Sequence, residues 1–438
     1  MTLTIVLQFA AVLAAIWMGA RYSGVGLGLW GAVGLLVLVV AFGINPTSPP
    51  IDVMLIILAV IMAASVMDAA GGIDFLVRIA ERIIRANPKY VTIVAPLTTW
   101  TFTFLAGTGH IVYPLLPVIY ETAHQSGIRP ERPMAVATIA SQQAITASPV
   151  AAATIGLLAE KGLTNWGLPE ILMVCVPATL TGVVVAAIVS MFIGRDLKDD
   201  PEYQAHLKAG KIPEPKTAAE RPPLKASARP SAFIFLAGVA LVVLFGFFPE
   251  LRRLPGAKSP LGMPIVIEIV MMSVAAIMLM ITKVKVDEVP KTATLRAGVV
   301  AVIGIFGLAW LGDSFIAANK DVIVPAIGDW AKAAPWTFAF GLFFASVLLY
   351  SQAATTRALM PLGMALGIPP QFLIAMFPSV NGYFFIPTYG SLIAAINFDL
   401  SGTTKIGKYV LNHSFMIPGL VATSVAVITG LFLARVMF

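Results

Sequence analysis

The sequence predicts an all-α polytopic membrane protein built from two inverted five-span repeats, each with a re-entrant hairpin and a broken helix. Three observations lead there. Of the 438 residues, 58% are apolar and only 12% are charged, about half the charge of an ordinary soluble domain. Long apolar runs recur at 25–42, 51–66, 172–193, 233–248 and 420–438, each near the ~20 residues that cross hydrocarbon as a helix. Ten-residue alternating strands are absent, which argues against a barrel. Third, two stretches follow one script. Residues 88–149 carry the polar patch Gly107, Thr108, Gly109, His110 and a later Ser148-Pro149. Residues 335–387 carry Ser351, Gln352, Thr355 and Thr356 and a later Pro387. Each has a proline between (Pro117, Pro361) and a Gly-Ile turn before another proline (Gly127, Gly367). Paired, interrupted hydrophobic segments in two halves of a chain point to a binding site between them.

The elements follow in order. Residues 1–20 are apolar, lack a basic leading region and end at Arg21, so they read as a first span rather than a cleaved signal. Spans at 24–43 and 52–71 precede a surface helix at 73–86. That helix sets Phe75, Leu76, Ile79, Ile83 and Ile84 against Arg78, Glu81, Arg82 and Arg85, an amphipathic pattern suited to the membrane interface. A hairpin at 90–126, a broken span at 132–159 and a span at 169–194 complete a first repeat, 1–194. A linker, 195–229, is rich in proline, alanine and basic residues and reads as an exposed, partly disordered connector. The second repeat, 230–438, runs through spans at 230–248, 263–282 and 295–314, a surface helix at 315–333, a hairpin at 336–366, a broken span at 370–396 and a span at 408–437. Five crossings is an odd number, so the halves face opposite ways.

The net charge of +7 sits in short loops and reads as a topology signal, not a nucleic-acid surface. The linker's Arg195, Lys198, Lys208, Lys211, Lys216, Arg221, Lys225 and Arg229 place it in the cytoplasm. Both termini and the uncharged loop 366–370 then fall on the periplasmic side. Arg252, Arg253 and Lys258 dissent from that assignment.

Several chemistries are disfavoured. The single Cys175 permits no internal disulfide and lies in an apolar run as a small core residue. His110, His124, His206 and His413 are scattered, with no HExxH or CxxC, so neither a metal site nor a cofactor is expected. Residues 26–31 fit GxGxxG but lie in an apolar span with no preceding strand. Residues 402–408 fit GxxxxGK, yet Tyr409 stands where Ser or Thr would bind magnesium.

The candidate site is built from the two tips and the two breaks. Non-helical backbone at membrane depth persists only where protein or water satisfies it. Gly107 and Gly109 give permissive backbone and Thr108 a hydroxyl; Ser351, Gln352, Thr355 and Thr356 serve the second tip. The half-helices that follow present N–H groups and a positive dipole end to an anion. The broken spans add Thr146 and Ser148 beside Pro149, and Asn381 and Thr388 around Pro387. Gln142 and Gln143 are expected to face the same cavity. Four such helix ends would suit a dianion. Arg357 is the one Lys or Arg well inside either hairpin, and two roles are open to it: a bidentate contact to a substrate carboxylate, or a structural pair with Asp313. His110 beside the first tip either titrates at the site or makes a structural hydrogen bond. Asp68 and Asp313 end equivalent spans, and two roles are open to them: N-caps of the surface helices, the favoured reading, or ion coordination.

The strings NPKY (87–90), AGTG (106–109), AITASP (144–149), WLGD (310–313), LYSQAAT (349–355) and GTTKIGK (402–408) resemble the anaerobic C4-dicarboxylate uptake (Dcu) family. The resemblance spans the chain. It implies a bacterial inner-membrane carrier that exchanges fumarate, malate or aspartate for succinate, in a superfamily that uses paired hairpins. His110 stands where asparagine is expected in relatives, and Arg357 where lysine is expected. A transport block of hairpins and broken spans sliding against a scaffold, an elevator, is the expected mechanism. Expected partners are the dicarboxylate, membrane lipid and a second copy of the chain in a homodimer, with no nucleic acid. Cation-coupled uptake of the same anions is the competing transport reading, and a membrane-embedded sensor subunit acting through the linker is the reading from another class.

The topology predicts that a cysteine introduced at Ala209 is shielded from an impermeant maleimide in sealed cells and reacts once the membrane is opened. Labelling of sealed cells would reverse the assigned orientation.

Overall fold

The computed structural model describes residues 3–22, 24–159, 166–210, 212, 223–257, 259–349, 351–407 and 411–438. Lys211, Lys216, Arg221, Lys258, Tyr350, Lys408 and Tyr409, and the side chains of 323–332, lie outside that description. The regular secondary structure of the described residues is helical, apart from one isolated antiparallel bridge, Ile406 to His413. In chain order the helices are α1 (Leu3–Tyr22), α2 (Gly26–Phe42), α3 (Ile51–Ala69), α4 (Gly72–Ala86), α5 (Val91–Ala106), α6 (Val112–Gln125), α7 (Glu131–Gln143), α8 (Ala152–Leu158), α9 (Leu168–Ser190) and α10 (Pro201–Lys208). They continue as α11 (Ala228–Phe247), α12 (Met263–Thr282), α13 (Ala293–Gly304), α14 (Trp310–Ala333), α15 (Phe338–Leu349), α16 (Gln352–Ala365), α17 (Pro370–Met376), α18 (Gly390–Phe398) and α19 (Met416–Met437).

Six stretches among the described residues are long and apolar enough to cross a membrane: α3, α9, α11, α12, 293–322 and α19. α1, α2 and 335–349 are shorter apolar helices. α5 packs on α6 and α15 on α16, and the helical path is interrupted between α7 and α8 and between α17 and α18. Apart from α4, which packs on α5, α6 and α11 alike, the helices fall into two groups, which meet through α16 on α14 and the π-turn at 305–309. α1, α2, α3, α11, α12, α13 and α14 form one, in which α1 lies on α2, α3 on α12 and α13, and α11 on α12. The hairpins, the broken helices, α9 and α19 form the other, held along its length by the α9–α19 pair. Small residues bring backbones together there: a Cβ on Gly182 would stand 2.3 Å from the Ala422 carbonyl oxygen.

Four expectations are corrected. α4 buries Leu76, Val77, Ala80 and Ile84 against α5, α6 and α11, while Ile83, placed on the apolar face by sequence, is 40% exposed. The second surface helix does not exist as a separate element. α13 runs through a π-turn at 305–309 straight into α14, which continues to Ala333. The first half breaks at Gly71, which adopts φ +84, whereas no glycine follows Asp313 until Gly328 and the helix runs on past it. Neither aspartate caps a helix as predicted. Asp68 lies inside α3 and accepts a hydrogen bond from Thr294 Oγ1 at 2.7 Å, and Asp313 lies inside α14. Finally, α19 begins at Met416, not near 408. Asp399 collects hydrogen bonds from the Ser401 and Thr404 amides and the Ser401 and Thr403 hydroxyls, a turn that competes with helix, and Gly402 takes φ +71.

The linker's described beginning is docked rather than free. Arg129 bonds Glu131 and Asp200, and Arg132 pairs with Asp196 at 2.8 Å. Burial pulls the Arg129 guanidinium down, but its bonds to Glu131 and Asp200 outweigh this and hold its pKa above the usual arginine value. Tyr203 Oη and His124 Nε2 lie 2.8 Å apart.

The tightest contact in the frame explains the GxGxxG string. A Cβ on Gly307, in the π-turn, would stand 1.7 Å from the Gly28 carbonyl oxygen, and one on Gly28 would stand 2.0 Å from that of Ile303. The glycines let α2 and the π-turn touch backbone to backbone. Gly307→Ala is therefore expected to lower stability by ~1–3 kcal/mol through overpacking, read as a lower unfolding midpoint in detergent. Gly341→Ala, where a Cβ meets nothing within 4 Å, is the control that leaves it unchanged or raises it.

Candidate functional site

α5 ends at Gly107, which takes φ +69 and returns its N–H to the Thr103 carbonyl at 2.8 Å. Thr108 is extended, and its Oγ1 accepts from the His110 amide at 3.3 Å as the chain re-enters helix at 109–111. The second tip has the same logic. Ser351 is extended, and its Oγ accepts from the Ala354 amide at 3.2 Å, capping α16. A hydroxyl N-cap thus starts the returning arm of each hairpin.

The tips rest on the broken helices. A Cβ on Gly107 would stand 2.9 Å from Val150 Cγ2, and one on Gly109 would stand 2.4 Å from Gln142 Nε2, so both glycines permit close seating on α7 and the break after it. Gln352 Nε2 donates to the Gln142 carbonyl at 3.1 Å and to Asn381 Oδ1. Asn381 Nδ2 donates in turn to Gln143 Oε1 at 3.3 Å, and Gln143 Nε2 to Thr423 Oγ1 at 2.9 Å. This amide chain joins the second tip, both breaks and α19.

Between tips and breaks lies a cavity of about 450 Å³, within the size range of small-molecule sites. Of the residues singled out from sequence, Gly107, Thr108, Gly109, His110, Gln142, Ser351 and Gln352 line it. Thr146, Ser148, Thr355, Thr356 and Asn381 stand behind that lining, buried. Their polar groups serve the backbone: Thr146 Oγ1 donates to Gln143 O, Ser148 Oγ to Phe104 O at 2.7 Å, and Thr355 and Thr356 to Ser351 O and Gln352 O. Thr388 is outside the lining, its amide bonded to Ile386 O at 2.8 Å. Arg357 is outside it as well. Its stem crosses Gly156 of α8 and its Nη2 lies 3.6 Å from Asp313 Oδ2, so the guanidinium links α16 to α14.

Five polar lining residues were not singled out: Ser346, Tyr113, Tyr383, Tyr389 and Arg296. The three tyrosines read as ordinary apolar-span residues. Their one sequence signal is proximity to a break, with Tyr113 three residues after His110 and Tyr383 and Tyr389 flanking Pro387. Arg296 lies at the start of α13, where a basic residue reads as a topology marker. Among the described residues the lining holds this guanidinium and no Asp or Glu. Such a chamber, lined by the first residues of α8 and α16, Ala152 and Gln352, and by Tyr389 just before α18, favours an anion. Among the described residues its lining shows no hydrogen-bonded nucleophile and base.

The profile of the family described as "Anaerobic c4-dicarboxylate membrane transporter" matches residues 4–438. The chain is 41% identical to the C4-dicarboxylate transporter DcuA of Escherichia coli over 434 residues, covering 99% of this chain and 100% of that protein. It is 39% identical to the anaerobic C4-dicarboxylate transporter DcuB of Escherichia coli O6:H1, covering 97% of each, and 38% identical to DcuA of Wolinella succinogenes, covering 99% and 100%. Among solved structures it resembles MtrF of Neisseria gonorrhoeae, described as illuminating a class of antimetabolite efflux pumps, with a TM-score of 0.56 at 14% identity over 100% of this chain and 95% of that one. The YdaH transporter of Alcanivorax borkumensis matches at TM-score 0.52 and 14% identity, over 99% and 98%. At that identity the likeness concerns the fold alone. The protein is thus a multi-pass membrane transporter and not an enzyme, and it belongs to the anaerobic C4-dicarboxylate membrane transporter family.

Proposed function

We propose that this protein is a secondary transporter that exchanges C4-dicarboxylates, such as fumarate for succinate, across the bacterial inner membrane. The observation that carries the reading is the cavity, which holds a guanidinium and no carboxylate among the described residues and is framed by two hairpin tips and two broken helices. The relatives' names supply the dicarboxylate. The two halves are proposed to be inverted repeats, 1–194 and 230–438 joined by the cytoplasmic linker 195–229, with both termini periplasmic and the hairpins re-entrant. In this reading Gly107, Thr108, Gly109, His110, Ser351 and Gln352 contact the substrate, and the buried hydroxyls behind them hold the contact surface in shape.

The mechanism proposed is an elevator. Support comes from the packing in two groups: the tips and breaks belong to the α9–α19 group, and α1–α3 with α11–α14 form the frame. Sliding the first group along the frame would expose the cavity to either side in turn.

Counterflow of labelled succinate in proteoliposomes, with and without a sodium or proton gradient, tests this. Exchange that needs internal dicarboxylate and ignores both gradients is the expected result. Strict dependence on a cation gradient would replace antiport by symport, and block–frame cysteine pairs whose cross-linking ignores substrate would remove the elevator.

Arg357 is proposed to tie the second hairpin to α14 through Asp313. Removing one member strands the other in a poorly hydrated place. Arg357→Ala and Asp313→Ala are each expected to lose about 2–3 kcal/mol, below the range for fully buried pairs because Asp313 is 21% exposed and the contact is 3.6 Å long. The double variant recovers most of the unfolding midpoint. A well-folded Arg357→Ala protein whose only defect is weaker dicarboxylate binding would return Arg357 to the substrate.

A further inference from the structure

Among the described residues, the polar side chains that line the cavity ride on the hairpins and the broken helices, with one exception. Thr108, His110, Tyr113, Ser346, Ser351 and Gln352 are on hairpins, and Gln142, Tyr383 and Tyr389 on broken helices. Arg296 is on α13, part of the frame. It is solvent-exposed and forms no ion pair among the described residues. Asp68 is engaged by Thr294, on the same helix as Arg296.

Beyond Arg296 the α13 wall is small and uncharged: Ala297, Val300, Ala301 and Gly304. Arg296 and Gly304 are eight positions apart, about 12 Å along the helix axis. Position along the bundle is fixed by the neighbours. Thr294 bonds Asp68 at the end of α3, and the next two carbonyls, of Ala69 and Ala70, accept from Lys225 Nζ and Ser227 Oγ of the linker, each at 2.9 Å. The cation therefore stands at the linker end of an otherwise smooth track.

We infer that Arg296 is a side-specific substrate contact, binding one carboxylate of the dianion while the transport block stands at the linker end and remaining behind when the block slides. This rests on the exchange and elevator readings above. In the state described here the substrate touches moving and fixed elements at once. After the slide its carboxylates face only groups that travelled with it and the uncharged part of α13. The transporter thus binds dicarboxylate more tightly from the linker face than from the other.

The test uses full-length protein in proteoliposomes of one orientation, with succinate KM measured from each face for wild type, Arg296→Ala and Arg296→Lys. Arg296→Ala is expected to raise KM about tenfold on the linker face, the loss of one charged hydrogen-bonded contact. On the opposite face KM changes by less than about twofold. Arg296→Lys restores most of the linker-face affinity, because the charge survives without the planar fork. The unfolding midpoint is unchanged, as expected for an exposed residue. An equal rise on both faces, or none on either, overturns the side-specific contact while leaving exchange itself intact. A wild-type protein that exchanges no dicarboxylate overturns the functional reading and this inference with it.

Discussion

Backbone that leaves the helix within a membrane has no water to fall back on, and every element of the cavity depends on how this chain answers that constraint. The answers come from the other half of each hairpin and from the breaks themselves. At the first break Ser148 Oγ donates to the Phe104 carbonyl near the end of α5, and Thr154 Oγ1 donates back across the gap to Ile145 O. At the second break the Gly382 amide donates to Ser346 Oγ near the end of α15. Each break is thus satisfied by the outgoing arm of its own hairpin. The amides of Gln352, Asn381 and Gln143 then join the two arrangements. A buried network of this kind stabilises when complete and is costly when any member is missing, which accounts for the burial of so many hydroxyls and amides that do not line the cavity.

Close backbone approach is the second device. Gly107 and Gly109 let the first tip settle on the first broken helix, and Gly28 with Gly307 lets α2 meet the π-turn of the frame. The contacts serve different ends. The tip glycines shape the chamber, whereas the frame glycines fix the wall that the chamber faces, since α13 ends immediately before the π-turn. Charge is distributed to match. The breaks and tips contribute helix ends and neutral polar groups, and the guanidinium of the lining comes from the wall.

Two groups of ion pairs among the described residues lie outside the cavity lining and brace its supports. Arg357 and Asp313 join the second hairpin to the frame, and Arg129, Glu131 and Asp200 join the turn before α7 to the start of the linker. Ser414 Oγ donates to Glu131 Oε1 at 2.6 Å, bringing the loop before α19 into the same cluster. The linker is therefore anchored near both of its ends, at Arg129 and Arg132 on one side and at the end of α3 on the other.

The sequence by itself determined the membrane class and the places where helices are interrupted at glycine, hydroxyl and proline residues, because apolar run length and those residue pairings are local properties. It also determined the family, through strings concentrated at those tips and breaks. Tertiary structure decided which polar groups face the chamber and which stand behind it. Thr355 and Thr356 neighbour Ser351 and Gln352, yet their hydroxyls turn back to the carbonyls of those two residues, and local sequence does not distinguish the cases. The same holds for the arginines. Arg357 is conspicuous inside a hairpin but is drawn to Asp313, 44 positions away on another helix. Arg296 is inconspicuous at a helix start but lines the cavity, because the packing of α13 places it opposite tips more than 50 residues distant in sequence. Burial and charge pairing are set by which helices meet, and that is a property of the whole bundle rather than of any segment.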